Sequence, residues 1–551
     1  MNDYINVRVM GKEVKIPPGT TYEELSRDFR QYFKSPIMVA CNGTRLRELT
    51  KEAEPGADVE FFDLTNPEGF RIYRRSVSFL MILAAKELYG KDIKVVVEHS
   101  LKRNLYCEIE RDGACIAPDA KAMGEKMREL SALDLPIEKR SYTRDKAIEI
   151  MKQCAMTDKV ELFRFRRSSN VNLYKLGDLY DYFYGYMVPS TGYLKSFDVA
   201  DCEAGFLIMF PSEENPEIIP EYIHPAKVSR MFLEQRNWQR LMNVKTVADL
   251  NNPIVRGKFP ELVRINEALH NKKISRIADM ITERIGSVKV VMIAGPSSSG
   301  KTTFAQKLCL ELKVNGITPH VISMDDYFIN RDDTPVDESG KRDYENLNTL
   351  DLPLLSSHLE QLAAGLAVEI PTYNFVNGVR EFKGNVLQLR KNEIFILEGI
   401  HGLNDQVTSM VDKSNVFTIY ISAMTQLNID NHNRISTSDS RMLRRLVRDS
   451  RSRGSNGEDT IGIWPYVIRG EARNIFPFQE NADVIFNSAT VYELSVLKQF
   501  AEPVLFSVRE DCPEYITAKR MIKFLDYFLG MPTDCIPQTS IVREFIGGSI
   551  F

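Results

Sequence analysis

Five consecutive apolar residues, Val290-Val291-Met292-Ile293-Ala294, run directly into Gly295-Pro296-Ser297-Ser298-Ser299-Gly300-Lys301-Thr302. The apolar run reads as a strand buried on both faces in a parallel sheet, with Val288 extending it. The eight residues that follow are G-x-x-x-x-G-K-[ST] in full. The spacing predicts a helix from Thr303 to Val314. Strand, glycine-rich loop and helix in that order form a cradle for phosphate. The glycines let the backbone curl so that its N–H groups face phosphate oxygens. The helix N-terminus adds partial positive charge. Lys301 can reach the β- and γ-phosphates and the Thr302 hydroxyl can ligate Mg²⁺. The expected ATP contacts are Gly295, Ser297, Ser298, Ser299, Gly300, Lys301, Thr302 and Thr303.

Downstream the chain alternates strands and helices, the pattern of an α/β domain with a mostly parallel sheet. A strand over 320–324 is predicted to end in Asp325-Asp326. Carboxylates at such an end lie on the ligand edge of the sheet, where one can take a proton from an acceptor hydroxyl; the alternative is a turn cap. A strand over 393–397 leads into Glu398-Gly399, an acid able to hold Mg²⁺ directly or through water. Arg441, Arg444, Arg445, Arg448, Arg451 and Arg453 then crowd thirteen residues, with Asp449 opposing them. A charge run is usually a solvated helix face, but arginines suit bidentate phosphate binding and can close over a triphosphate as a lid.

The remainder sets the organisation. Residues 1–65 alternate Val7/Val9 and Val14/Ile16, break at Pro17-Pro18-Gly19, and predict a helix from Tyr22 to about Phe33 capped by Thr20 or Thr21. A strand over 37–41, the hairpin signal Asn42-Gly43 and a strand over 59–62 follow, giving ββαββ and a β-grasp fold. Residues 66–225 are mixed α and β, with a helix over 76–88 and a strand over 93–97. Residues 226–285 are a helical connector, 286–495 the α/β domain, and 496–551 a tail expected to pack on it. With 43% hydrophobic and 26% charged residues and a net charge of −4, the chain has enough apolar residues for a core and no global pull toward nucleic acid or membrane. The eight cysteines form no CxxC pair, and Met1-Asn2-Asp3-Tyr4 is no signal-peptide start. A cytoplasmic protein is expected.

With these motifs in hand, residues 286–495 resemble the uridine/cytidine kinase family. Gly295–Thr302, Asp325-Asp326-Tyr327-Phe328, Pro371-Thr372-Tyr373-Asn374-Phe375, Glu398-Gly399-Ile400 and the arginine run match its motifs in order. The resemblance implies Asp325 as catalytic base with Lys301 and Arg448. It implies Arg445, Arg448 and Arg453 on the triphosphate, and Asp325, Tyr327, Glu345, Tyr373 and Arg380 on a nucleoside. It implies Thr302 and Glu398 at the metal, with ATP and Mg²⁺ as the cofactors. Glu345 stands where the family has an aspartate, Ser455 where it has a last lid arginine, and Gly378 where it has a base-selecting histidine. The last change predicts a looser or different base preference than strict uridine and cytidine, the alternative being that Asn374, Asn377 or an ordered water makes the contact instead. Residues 1–65 resemble the TGS module of threonyl-tRNA synthetase, and 66–225 resemble that enzyme's editing domain. Its four zinc-ligand positions hold Arg75, Phe79, Phe183 and Met187. The order resembles bacterial long-form uridine kinase-related proteins. Two readings follow: an ATP-dependent nucleoside kinase, or a kinase of another small alcohol; and, in a different class, a nucleotide switch with RNA or a small ligand on its N-terminal half. A homo-oligomer fits either; a membrane partner fits neither.

Overall fold

In the computed structural model, which describes residues 4–212, 214–336, 340, 342–374, 376–425 and 427–551, the chain folds as successive α+β and α/β layers. Met1–Asp3 and Phe375, which figure in the sequence reading, lie outside the described residues. The N-terminal sheet has the order Lys12–Ile16, Ile5–Val9, Asp58–Phe62, Val39–Asn42, Arg45–Arg47, with Ile5–Val9 parallel to Asp58–Phe62. Val7, Val9 and Val59 point into its core, as the alternation predicts. Two details differ from the sequence reading. The helix stops at Arg27 and a 3-10 turn covers Arg30–Tyr32, although Thr21 and Glu24 form a full capping box at its start. The Asn42-Gly43 turn also launches a further short strand, Arg45–Arg47, so the order is ββαβββ.

Next comes the helix Pro67–Tyr89, buried on most sides, with two antiparallel sheets. One orders Leu179–Asp181, Asn170–Leu176 and Ile137–Thr143; the other orders Asp198–Cys202, Gly205–Met209, Asn104–Arg111 and Lys94–Leu101. Three helices, Ala226–Met242, Val247–Val255 and Phe259–Glu283, lead to a five-stranded sheet. Its order is Thr318–Ser323, Glu393–Gly399, Val290–Ala294, Val416–Ser422, Val484–Asn487, and every pair is parallel. The strand feeding the phosphate loop is central and fully buried.

A polar seam joins the two halves. Lys159, wholly buried, lies 3.1 Å from Asp181 and 3.2 Å from Asp430. Val97 and the 428–431 loop exchange hydrogen bonds, with Asn428 Nδ2 donating to Val97 O and Val97 N donating to Asn431 O, each at 2.8 Å. The last segment closes on the α/β layer: Ser540 Oγ donates to Glu267, and Phe545 packs into the same core as the sheet. The sequence-derived boundary at 495 falls inside the helix Glu493–Phe506. Among the described residues no helix is long and apolar enough to cross a membrane.

Candidate active site

The loop after the central strand needs glycine at two places. A Cβ on Gly295 would lie 1.9 Å from Ile421 O on the neighbouring strand. Gly300 sits at φ +84° as the N-cap of the helix Lys301–Val314, and a Cβ there would lie 2.5 Å from Ile541. Lys301 Nζ donates back to Gly295 O at 3.0 Å, and the buried Ser298 and Ser299 hydroxyls have no partner among the described residues. Two carboxylates already take loop N–H groups. Glu471 accepts from Ser297 N at 2.9 Å, and Glu544 accepts from Thr303 N at 3.3 Å and from its hydroxyl at 2.7 Å. These are the electropositive amides of a helix N-terminus. The sequence reading singled out neither acid.

Asp325 and Asp326 follow the strand at the sheet's carboxyl edge, one residue later than the sequence predicts. The strand stops at Ser323, whose hydroxyl accepts from Asp325 N, and Met324–Tyr327 turn as a 3-10 helix beside the sheet's carboxyl edge. Burial pushes the Asp325 carboxyl up, while Lys301, Arg453 and Arg448 pull it back down and Asp326 adds repulsion. Asp325 is therefore in the field of the loop lysine and two of the expected lid arginines. Asp326 instead accepts the main-chain N–H of Tyr373 at 3.0 Å and fixes that strand.

Glu398 lies within its strand and is buried. Thr302 Oγ1 stands 3.5 Å from its carboxylate, and Ser323 Oγ donates to it at 3.4 Å. Burial pushes Glu398 up to about 7, with Asp325 and Glu544 reinforcing the shift and Lys301 opposing it. A buried carboxyl and a hydroxyl at the foot of a phosphate loop are hard oxygen donors, and they fit Mg²⁺.

The arginine run is the helix Thr437–Ser452, and it divides in two. Arg441 and Arg444 are buried and structural. Arg441 pairs with Glu471 and donates to Ser297 O at 3.0 Å. Arg444 pairs with Glu493 at 2.6 Å and donates to Ser298 O at 3.3 Å. Both thus brace the loop from behind. Arg445, Arg448 and Arg453 gather around Asp449 at 3.1, 2.8 and 3.7 Å, and Arg445 also reaches the Ser297 hydroxyl at 3.0 Å. Breaking one buried pair leaves the other charge stranded, so Arg444→Met is expected to cost about 3–5 kcal/mol. In thermal melts Arg444→Met should fall well below the parent protein, and Arg444→Met/Glu493→Leu should recover most of the loss. An unchanged melt for the single variant would refute the bracing role.

The remaining expected residues separate. Tyr373, 8% exposed, meets Phe328 edge-on at 5.6 Å and pairs in register with Arg380, which lies 2.9 Å from Asp351. Tyr327 does not face this wall: it is 1% exposed in the core, and its hydroxyl is 3.1 Å from His358 Nδ1. Glu345 lies in the field of the loop lysine and of Arg445 and Arg441. Burial and the neighbouring Glu471 push it up to about 7 against Arg445, Lys301 and Arg441. Gly378 is not open space: its φ is +72°, and a Cβ would lie 2.7 Å from Arg331 Cβ. His401, after Glu398-Gly399-Ile400, is held down to about 4 by burial with Lys301 nearby, and is neutral at pH 7. In the N-terminal half Arg75 donates to Tyr186 O, Phe79 and Phe183 pack at 5.2 Å, and Met187 Sδ is 3.5 Å from Ser76 Oγ. Among the described residues, Glu108, Glu110 and Cys115 are grouped closely enough to hold a metal, but the Arg236 guanidinium is paired with Glu108.

Comparison with known proteins places this geometry. Residues 290–495 match the phosphoribulokinase/uridine kinase family. A uridine kinase of Aliivibrio salmonicida is 34% identical over 199 residues, covering 36% of this chain and 84% of that protein. A uridine kinase of Macrococcus caseolyticus is 31% identical over 198 residues, covering 36% and 86%. A threonine–tRNA ligase of Syntrophotalea carbinolica is 31% identical over 206 residues, covering 35% of this chain and 32% of that protein. The chain thus spans about a third of the length of the threonine–tRNA ligases it matches.

Proposed function

The chain belongs to the phosphoribulokinase/uridine kinase family, and from that premise we propose that it is an ATP-dependent phosphotransferase whose acceptor is the 5′-hydroxyl of a nucleoside, uridine or cytidine first. The observation that carries the reading is the neighbourhood of Asp325. It sits in the field of Lys301 and Arg448, and one residue on, Asp326 holds the Tyr373 strand whose ring meets Phe328. A base beside the phosphate loop and an aromatic wall beside the base suit an acceptor with a flat apolar portion and a primary hydroxyl.

In this mechanism Asp325 accepts the proton of the acceptor hydroxyl as its oxygen bonds to the γ-phosphorus, and the bond from that phosphorus to the β,γ-bridging oxygen breaks. Lys301, freed from the Gly295 carbonyl, and Arg445, Arg448 and Arg453 neutralise charge on the transferring group. The hydroxyls of Ser298 and Ser299 cradle the remaining phosphate oxygens, joined by the Ser297 N–H and by the Thr303 N–H and hydroxyl once Glu471 and Glu544 release them. Tyr373, Arg380 and Glu345, whose buried Oε2 has no partner among the described residues, hold the nucleoside. Thr302 and Glu398 would hold Mg²⁺, which when bound neutralises β- and γ-phosphate charge.

The test is ATP consumption across nucleosides, sugars and hydroxy acids, with the product identified by phosphorus NMR. The expected result is kcat/KM for uridine or cytidine at least about ten-fold above any non-nucleoside alcohol, a margin of about 1.4 kcal/mol. A sugar or hydroxy acid preferred by that margin would overturn the nucleoside assignment while leaving the kinase chemistry in place.

A further inference from the structure

Where the helix Pro67–Tyr89 meets the 432–439 segment, the side chains leave a cavity of about 80 Å³. One water needs roughly 10–15 Å³ on the same measure, so there is room for a multi-atom group. Arg71, Arg74, Arg75 and Arg434 line it, with Tyr184 and Asp439. None of its lining residues belongs to the phosphate-loop site; two of them, Arg75 and Phe183, stand at zinc-ligand positions of the editing-like domain.

The charges around it do not balance. Asp439 is held by Arg520 at 2.6 and 3.0 Å. Glu68 is held by Arg71 at 2.5 Å, with Arg520 3.6 Å away. Five guanidinium groups therefore surround two carboxylates. Among the described residues Arg74 makes no side-chain hydrogen bond or ion pair, and its guanidinium lies 5.9 Å from the Phe70 ring centroid. Arg434 reaches the Thr437 hydroxyl at 3.4 Å, and its buried Nε has no partner among the described residues. Burial holds Arg74 and Arg434 down to about 10 and about 9, and each is a like charge that lowers the other or its neighbours. Arginine does not shed its proton at neutral pH, so these charges persist and carry a desolvation cost that an anion would offset.

The cavity is also shaped for a planar cation to reach into it. Arg75 lies over the Tyr184 ring at 5.5 Å and donates to Tyr186 O, which fixes its plane. A Cβ on Gly185 would lie 2.1 Å from the Arg75 guanidinium carbon, so glycine is what permits that approach.

We propose that this arginine cavity is a second, non-catalytic site that binds a phosphate group, either free or as the phosphomonoester of a small molecule. Guanidinium forks match phosphate oxygens bidentately, and several forks around one small cavity select a multiply charged tetrahedral anion over chloride.

The test is calorimetric titration of the full chain, saturated with a non-hydrolysable ATP analogue, with inorganic phosphate and with ribose 5-phosphate. At least one probe is expected to bind with a dissociation constant below about 1 mM. Lys301→Met should retain that binding, and Arg74→Gln/Arg434→Gln should weaken it at least ten-fold. The tighter probe identifies the source of the phosphate. The double variant should also melt above the parent protein in phosphate-free buffer, because two unpaired like charges are gone, and added phosphate should close the gap. Equal affinity in parent and double variant, binding abolished by Lys301→Met, or a double variant that melts lower with or without phosphate would each overturn the proposal. So would binding confined to RNA, with neither small probe bound.

Discussion

Asp325→Asn is expected to lower kcat by about 10²-fold or more, the scale of a lost general base, while the affinity for ATP stays within about two-fold. The reason is positional. Among the described residues Asp325 makes no ion pair that braces the loop; its main-chain N–H donates to the Ser323 hydroxyl, and its carboxyl lies in the field of Lys301, Arg453 and Arg448. Asparagine keeps the shape and the cap and removes only the proton acceptor. Lys301→Met should behave differently, losing ATP affinity and turnover together, because Lys301 acts on phosphate in both ground and transition states. The pH profile adds a sign. Burial raises Asp325, and the acting form is the carboxylate, so kcat/KM should fall as pH drops through the raised value, and this limb should vanish in the asparagine variant. Retention of near-normal turnover with an unchanged acid limb would remove Asp325 from the base role and direct attention to Asp326.

Much of the α/β layer is legible because its signals are local. The five-residue apolar run and the loop that follows are contiguous in the chain, and the parallel sheet places them as read. The β-grasp strands are legible for the same reason, through period-two alternation and one Asn-Gly turn. What escapes the sequence depends on partners far away in it. Arg441 and Arg444 look like their lid neighbours until Glu471 and Glu493 arrive from 30 and 49 residues downstream and bury them. Glu544 reaches Thr303 across 241 residues. Nothing in the tail's pattern marks a carboxylate destined for the phosphate-loop helix. The resemblance puts Tyr327 among the acceptor residues, but the 3-10 turn carries it into the core toward His358. Gly378 reads as lost volume beside Tyr373, yet Arg331 stands against it and donates its main-chain N–H to Gly378 O at 2.8 Å. A histidine there would be strained by the backbone and displaced by Arg331. Base preference is therefore better probed by Arg331→Ala than by Gly378→His.

Glu398→Gln is expected to raise the Mg²⁺ concentration needed for half-maximal activity by about 10–100-fold, the scale seen when a group that holds or orients a metal is lost. The nucleotide-free carboxyl is held up to about 7 by burial, with Asp325 and Glu544 adding repulsion. A cation binds the carboxylate and not the acid, so in the parent protein the Mg²⁺ requirement should fall as pH rises from about 6 to 8. The glutamine variant cannot titrate and should lose most of that dependence. Stability moves the other way. A carboxyl raised above its unfolded value of about 4.3 favours the fold fully at pH below that value, and this contribution is lost as pH rises through about 7. Glu345, also held up to about 7, adds a parallel contribution. The nucleotide-free protein should therefore melt at lower temperature at pH 8 than at pH 5.5. Glu398→Gln and Glu345→Gln should each flatten part of that slope, while only Glu398→Gln changes the Mg²⁺ requirement. An identical change from both variants would mean that Glu398 acts through the charge of the site and not as a metal ligand.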